Sequence, residues 1–236
     1  MMVARRTEHV RCDTEHVRCD WRRRRAASVT GSVGAGLSAS NRLAFGAERR
    51  WMIVRQFVDE AERAALLRKA LTHMQRGELM PNRSGPYRYF AKVDDEPARY
   101  ADALLERLTR RCERCLRLAG VRTDCVLGRT ISLILPGGFI HPHTDKYHEG
   151  VPGHRVGMEH CRCNIMVRLA HPSGRPIVEA TPLPVEEGDL WAFHASKSVH
   201  ETQALQGSEP RIIFGFGWSV APSHALEPPP DGWRDP

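Results

Sequence analysis

Pro136-Gly-Gly-Phe-Ile-His-Pro-His-Thr-Asp145 is the stretch on which the reading of this chain turns. In an extended segment, residues two apart point to the same face, so His143 and Asp145 share one side while Thr144 points away. One imidazole nitrogen and one carboxylate oxygen can then reach a single ion. His141 has the same parity as His143, and spacing alone does not separate the two.

A second histidine from a distant strand would complete a two-histidine, one-carboxylate donor set, the facial arrangement associated with non-haem iron(II). Eight of the twelve histidines fall between residues 141 and 200, and His200, in Lys197-Ser-Val-His-Glu-Thr, follows a predicted strand at 188–193. Arg211 comes eleven residues later, at the start of another strand.

Outward from this motif, 125–135, 162–169, 176–180, 188–193 and 211–220 read as strands, each bounded by Gly, Pro or polar turns. Two helices precede them. Asp59 followed by Glu62 resembles a helix cap, and Ala64, Leu67, Leu71 and Met74 continue at helical spacing to Arg76-Gly77. A second apolar stripe runs from Ala101 through Leu105, Leu108, Cys112 and Cys115 to Ala119. The pattern predicts an α+β domain whose N-terminal helices brace one side of a sandwich or barrel.

Alternation sorts the longest strands into faces. Arg211, Ile213, Gly215 and Gly217 share a face with little bulk beyond its Arg, while Ile212, Phe214, Phe216 and Trp218 form a core face. Arg162, Asn164, Met166 and Arg168 share another face, which lines either a pocket or solvent.

Together these residues resemble the 2-oxoglutarate and Fe(II)-dependent dioxygenase superfamily. The Pro-Gly-Gly lead-in to His-Thr-Asp and the Gly-Asp-Leu-Trp-Ala-Phe strand before His200 are similar to its prolyl-hydroxylase and aspartyl/prolyl-hydroxylase branches. The resemblance covers roughly residues 125–220 and implies a double-stranded β-helix (jelly-roll) core. It also implies iron(II) on His143, Asp145 and His200, with Arg211 holding the far carboxylate of 2-oxoglutarate and Arg162 or Asn164 touching co-substrate or substrate. With O2, such a site hydroxylates an amino-acid-like or small-molecule substrate and releases succinate and CO2.

Two rival readings stand beside this one. A cupin-type metalloenzyme would use His141, His143 and Glu149 and needs neither 2-oxoglutarate nor Arg211. A zinc-stabilised binding module would pair Cys112 and Cys115 with Cys161 and Cys163, although all four also fit apolar stripes as small hydrophobes. His148, His154 and His160 are expected in a loop covering the site.

Composition bounds the rest. Of the net charge of +7, residues 1–50 carry 11 Arg, no Lys and 5 acids, leaving 24 basic against 23 acidic residues afterwards. The folded part is nearly neutral and gives no support to a nucleic-acid groove. Seven cysteines without an export signal suggest reduced thiols, and no membrane span or secretory signal is apparent, so a cytoplasmic protein is expected. The predicted layout is a disordered Arg-rich extension at 1–50, containing the duplication TEHVRCD, then one domain at 51–226 and a loose tail at 227–236.

Overall fold

A computed structural model of the chain describes residues 43–45, 50–93, 102–118, 128–145, 157–230 and 232–233. They form β1 (Leu43–Phe45), β2 (Trp51–Val54), α1 (Glu60–Gln75), β3 (Met80–Pro81), β4 (Arg88–Lys92), α2 (Ala103–Cys115), β5 (Arg129–Ile134) and β6 (Ile140–His143). There follow β7 (Glu159–Arg168), β8 (Pro176–Val178), β9 (Thr181–Pro182), β10 (Leu190–His194), β11 (His200–Thr202) and β12 (Arg211–Val220). The expected α+β class is therefore corrected to a mostly antiparallel β architecture with two helices. Six of the strands span only two to four residues outside any predicted strand, too short for alternation to register.

The strands form an eight-stranded sheet in the order β1-β2-β10-β7-β12-β5-β4-β3 and a four-stranded sheet in the order β6-β11-β8-β9. One face of the large sheet carries Cys161, Cys163, Ile165, Val167, Ile212, Phe214, Phe216 and Trp218 into a core shared with both helices. Its other face sends Ile53, Met166, Trp191, Phe193 and Ile213 toward Val178 of the small sheet. The helices do brace one side, as expected, and the space between the sheets is left for the site.

Helix α1 starts where predicted: Asp59 accepts from the Glu62 backbone at 2.7 Å and the Glu62 side chain accepts from the Asp59 backbone. Glu62 is also buried, and Arg111 of α2 binds it through NH1 at 2.7 Å and NH2 at 3.0 Å. This pair clamps the two helices together. Helix α2 stops a turn short of the predicted end at 119, because Arg117 takes a left-handed conformation (φ 55°) that returns Leu118 to the core.

Both chain ends depart from expectation. Leu43–Phe45 pairs with Val54–Met52, so order begins before residue 51, while residues 1–42 lie outside the described part. The tail was expected to be loose, yet Trp233 stacks on Phe57 with ring centroids 5.4 Å apart and its carbonyl accepts from Arg114 Nε. Stacking on Phe57 outweighs the extended Pro228–Pro230 run. Among the described residues, no helix is long and apolar enough to cross a membrane.

Candidate metal centre

The Pro-Gly-Gly lead-in makes a turn that other residues would spoil. Gly137 has φ 79°, and a Cβ on Gly138 would stand 2.8 Å from both Ile134 Cγ2 and the Pro86 carbonyl. The chain leaves this turn as β6, in which His143 pairs with His200 of β11. Asp145 follows, its backbone N–H held by the Ala195 carbonyl at 2.8 Å. His143, Asp145 and His200 converge so that one ligand atom from each lies within 4.8 Å of the others, and among the described residues they are the one such cluster. Asp145 Oδ1 is 3.5 Å from His143 Nε2 and 3.7 Å from His200 Nε2. Ligands ~2.1 Å from an ion and at right angles would stand ~3 Å apart, so the side chains must draw in by at least about half an ångström to close the set.

The backbone selects which nitrogen faces the centre. His143 Nδ1 lies 2.7 Å from the His141 carbonyl and His200 Nδ1 lies 3.1 Å from that of Ser198. A carbonyl only accepts, so each Nδ1 carries the proton and each Nε2 keeps a free lone pair. Burial pushes His200 down to about 4, against the pull of Asp145, which keeps it neutral at physiological pH. Burial works to raise Asp145, but the neighbouring His143 ring and the Arg162 charge hold it well below the usual carboxylate range. The cluster therefore offers two imidazole nitrogens and one carboxylate, the donor set that a divalent cation needs.

A cavity of about 390 Å³ runs from this cluster across the inner face of the large sheet. Strand register builds its floor: Gly215 lies between Thr130 and Asn164, and Asn164 lies beside Trp191. A Cβ on Gly215 would stand 2.7 Å from Thr130 Oγ1, 3.0 Å from Asn164 Oδ1 and 3.5 Å from Arg162 NH2. The absent side chain is what lets these polar groups meet. Arg162 and Asn164 thus face the cavity, not solvent.

Arg211 lies in the same cavity, 2% exposed, with Nε and NH1 buried and without a hydrogen-bond partner. Its guanidinium carbon lies 5.7 Å from the Trp191 ring centroid. Burial and the nearby Arg88 charge push it down to about 9, which still leaves it cationic at neutral pH. A surface pairing of Arg211 with Glu209 does not form; Glu209 instead meets Arg168 at 3.1 Å.

Several residues of the site are not visible to motif reading. His160 was expected in a covering loop, but it lies on β7, fully buried, with Nε2 3.8 Å from Asp145 Oδ2. Arg88, Phe90 and Lys92 enter the cavity from β4. Alternation along that strand puts all three on one face. His141 is exposed and edge-on to Phe139, while His148, Glu149 and His154 lie outside the described residues. The four described cysteines are buried free thiols. Burial and the thiols of Cys112 and Cys161 push Cys163 well above its ordinary value, the opposite of what a zinc thiolate requires.

No protein-family profile matches the sequence, and no curated protein matches it. Solved structures do match the fold. A prolyl-4-hydroxylase from Pseudomonas putida aligns with a TM-score of 0.54 at 19% identity, over 73% of this chain and 92% of that one. A viral collagen prolyl hydroxylase from Paramecium Bursaria Chlorella virus-1, in its 2-oxoglutarate complex, gives 0.54 at 11% identity over 73% and 96%. The epimerase SnoN, in complex with Fe3+, alpha-ketoglutarate and nogalamycin RO, gives 0.54 at 15% identity over 78% and 92%. At these identities the likeness establishes the fold alone, a jelly roll shared with these proteins.

Proposed function

We propose that this chain is a non-haem Fe(II), 2-oxoglutarate-dependent oxygenase that hydroxylates an amino-acid-like or small-molecule substrate. One observation carries the reading. Two imidazole nitrogens and a carboxylate converge at one end of a cavity in which a buried guanidinium, Arg211, leaves two of its nitrogens without a hydrogen-bond partner.

The donor set suits iron(II): two nitrogens and one oxygen on one side of an ion leave further positions open. Iron(II), 2-oxoglutarate and O2 together supply an oxidant for a C–H bond while the keto acid is converted to succinate and CO2. The chain's own groups hold and orient. His143 and His200 present Nε2 because their Nδ1 protons are tied to backbone carbonyls. Asp145 supplies the anionic oxygen. Arg211 offers a planar fork matched to a carboxylate, and Asn164 Oδ1 lies buried and without a hydrogen-bond partner in the same cavity.

The test is succinate release from 2-oxoglutarate with iron(II), over a substrate panel with mass spectrometry of the product. Ala at His143, Asp145 or His200 should abolish turnover and weaken iron binding, while Ala at His148 or His154 should leave iron bound. Full iron-dependent activity in Asp145→Ala would remove the metal assignment. Iron-dependent activity that ignores 2-oxoglutarate would favour the cupin reading.

A further inference from the structure

Among the described residues, the cavity lining includes Arg88, Lys92, Arg162 and Arg211 against Asp145 and Glu201. A divalent metal and a dianionic co-substrate would cancel each other, and on the reading above neither would use Arg88.

Arg88 is the cation that nothing so far accounts for. It projects from β4, and both it and Arg211 are register partners of Ile134 on β5. They stand on one face of the sheet, two strands and roughly 10 Å apart at the backbone. The Arg88 guanidinium meets only neutral oxygens: Ser132 Oγ at 3.4 Å, Asn82 Oδ1 at 3.4 Å, and Ser84 Oγ. Among the described residues no carboxylate forms an ion pair with it. Burial, and then the charge of Arg162, push it down to about 10, and Arg88 in turn depresses Arg211. Three guanidiniums thus repel one another in a partly dehydrated space, a cost that bound anions would relieve.

The hairpin carrying Arg88 is fixed in place. The Ser84 carbonyl accepts from the His141 backbone at 2.8 Å, two residues before His143, and Asn82 Oδ1 binds the Ser84 backbone at 2.9 Å. Hydroxyl and amide groups around a guanidinium, held beside the metal-side strand, make a small pocket for oxygen-rich anions.

We infer that Arg88, with Ser84 and Ser132 beside it, binds an anionic group of the primary substrate, a carboxylate or a phosphate, separately from the 2-oxoglutarate carboxylate on Arg211. This rests on the oxygenase reading and narrows its substrate class to acids. The anion would hold the rest of a small molecule over the open side of the metal cluster.

The experiment is calorimetric titration of the full chain loaded with Mn(II). The first titrant is 2-oxoglutarate, which should bind the natural protein and Arg88→Gln with affinities within twofold of each other. The second titration, into protein saturated with 2-oxoglutarate, uses acetate, inorganic phosphate and neutral acetamide at constant ionic strength. Acetate or phosphate should bind, at least tenfold more weakly in Arg88→Gln, and acetamide should not bind; whichever anion binds tighter identifies the headgroup. Arg88→Lys keeps the charge and should retain part of the affinity, which covers the case of a Gln variant that does not fold. Absence of 2-oxoglutarate binding by the natural protein would sink the oxygenase reading itself. With that binding intact, three results would overturn only the inference drawn from Arg88: no second anion, equal anion affinity in Arg88→Gln, or a loss of 2-oxoglutarate affinity in that variant.

Discussion

Replacing Arg211 with Met should move stability and ligand binding in opposite directions. The guanidinium is 2% exposed, and its Nε and NH1 have no hydrogen-bond partner. Each orphaned buried donor costs ~1–3 kcal/mol. Against this stands a cation–π contact with Trp191 at 5.7 Å, worth up to ~2 kcal/mol when desolvated. Met is close in length, flexible and uncharged, so it fills most of the volume without a large cavity cost. Two donors toward the low end of that range, ~2–4 kcal/mol together, less ~1 kcal/mol for the ring contact, favour the variant by about 1–3 kcal/mol in the ligand-free protein, which for a chain of this size raises Tm by roughly 2–12 °C.

Binding should move the other way. A bidentate, charge-assisted contact to a carboxylate disappears, and losses at buried charge pairs run at ~2–5 kcal/mol. Taking ~3 kcal/mol, the Kd for 2-oxoglutarate on the Mn(II)-loaded protein should rise about a hundredfold. Lys should recover only part, because it supplies charge without the fork. Thermal melts of the metal-free protein and calorimetric titration of 2-oxoglutarate read the two effects separately. A Met variant that melts lower and still binds 2-oxoglutarate normally would show that Arg211 is a structural residue.

Three further substitutions or truncations probe the frame around the site. Gly215→Ala places a methyl within 2.7 Å of Thr130 Oγ1 and 3.0 Å of Asn164 Oδ1; overpacking of this kind costs ~1–3 kcal/mol, and 2-oxoglutarate affinity should fall with Tm. Asp59→Ala removes one half of the α1 cap and should cost ~0.5–2 kcal/mol in denaturant melts, with metal affinity unchanged. A chain beginning at Arg42 should match the full chain in stability, whereas one beginning at Trp51 loses β1 and the partly buried Leu43 and Phe45, a deficit of about 2 kcal/mol. Equal denaturation midpoints for the two truncations would show that β1 adds nothing.

What the sequence made legible was set by periodicity and by short motifs that serve a backbone need. The faces of β7 and β12 were readable because each strand runs ten residues, long enough for alternation to separate Arg162 and Asn164 from Cys163 and Ile165. The Asp59 cap was readable because its partner Glu62 sits three residues away in the chain. Strands β3, β9 and β11 were not, since two or three residues carry no period and their pairing is decided by neighbours distant in sequence. The two-helix clamp through Glu62 and Arg111, residues 49 apart, belongs to the same unreadable class. Trp233 was misjudged for a related reason: its proline-rich surroundings signal an extended chain, but not whether an apolar ring finds a partner.

The site shows the same division more sharply. His143 and Asp145 are neighbours in sequence, so their convergence follows from strand geometry alone. His200 joins them only because β11 pairs with β6 in the register that sets it opposite His143. Arg88 shows what motif reading leaves out: it matches no pattern, and its meaning appears only when β4, β5 and β12 are placed side by side and Arg88 and Arg211 are found to share Ile134 as a partner. Two guanidiniums on one sheet face, both without carboxylate partners among the described residues, would suit two separate anions, and on the proposed reading 2-oxoglutarate would occupy the one at Arg211. On that reading Arg88 constrains the substrate more tightly than the metal cluster would, since the cluster would serve any C–H bond brought to it.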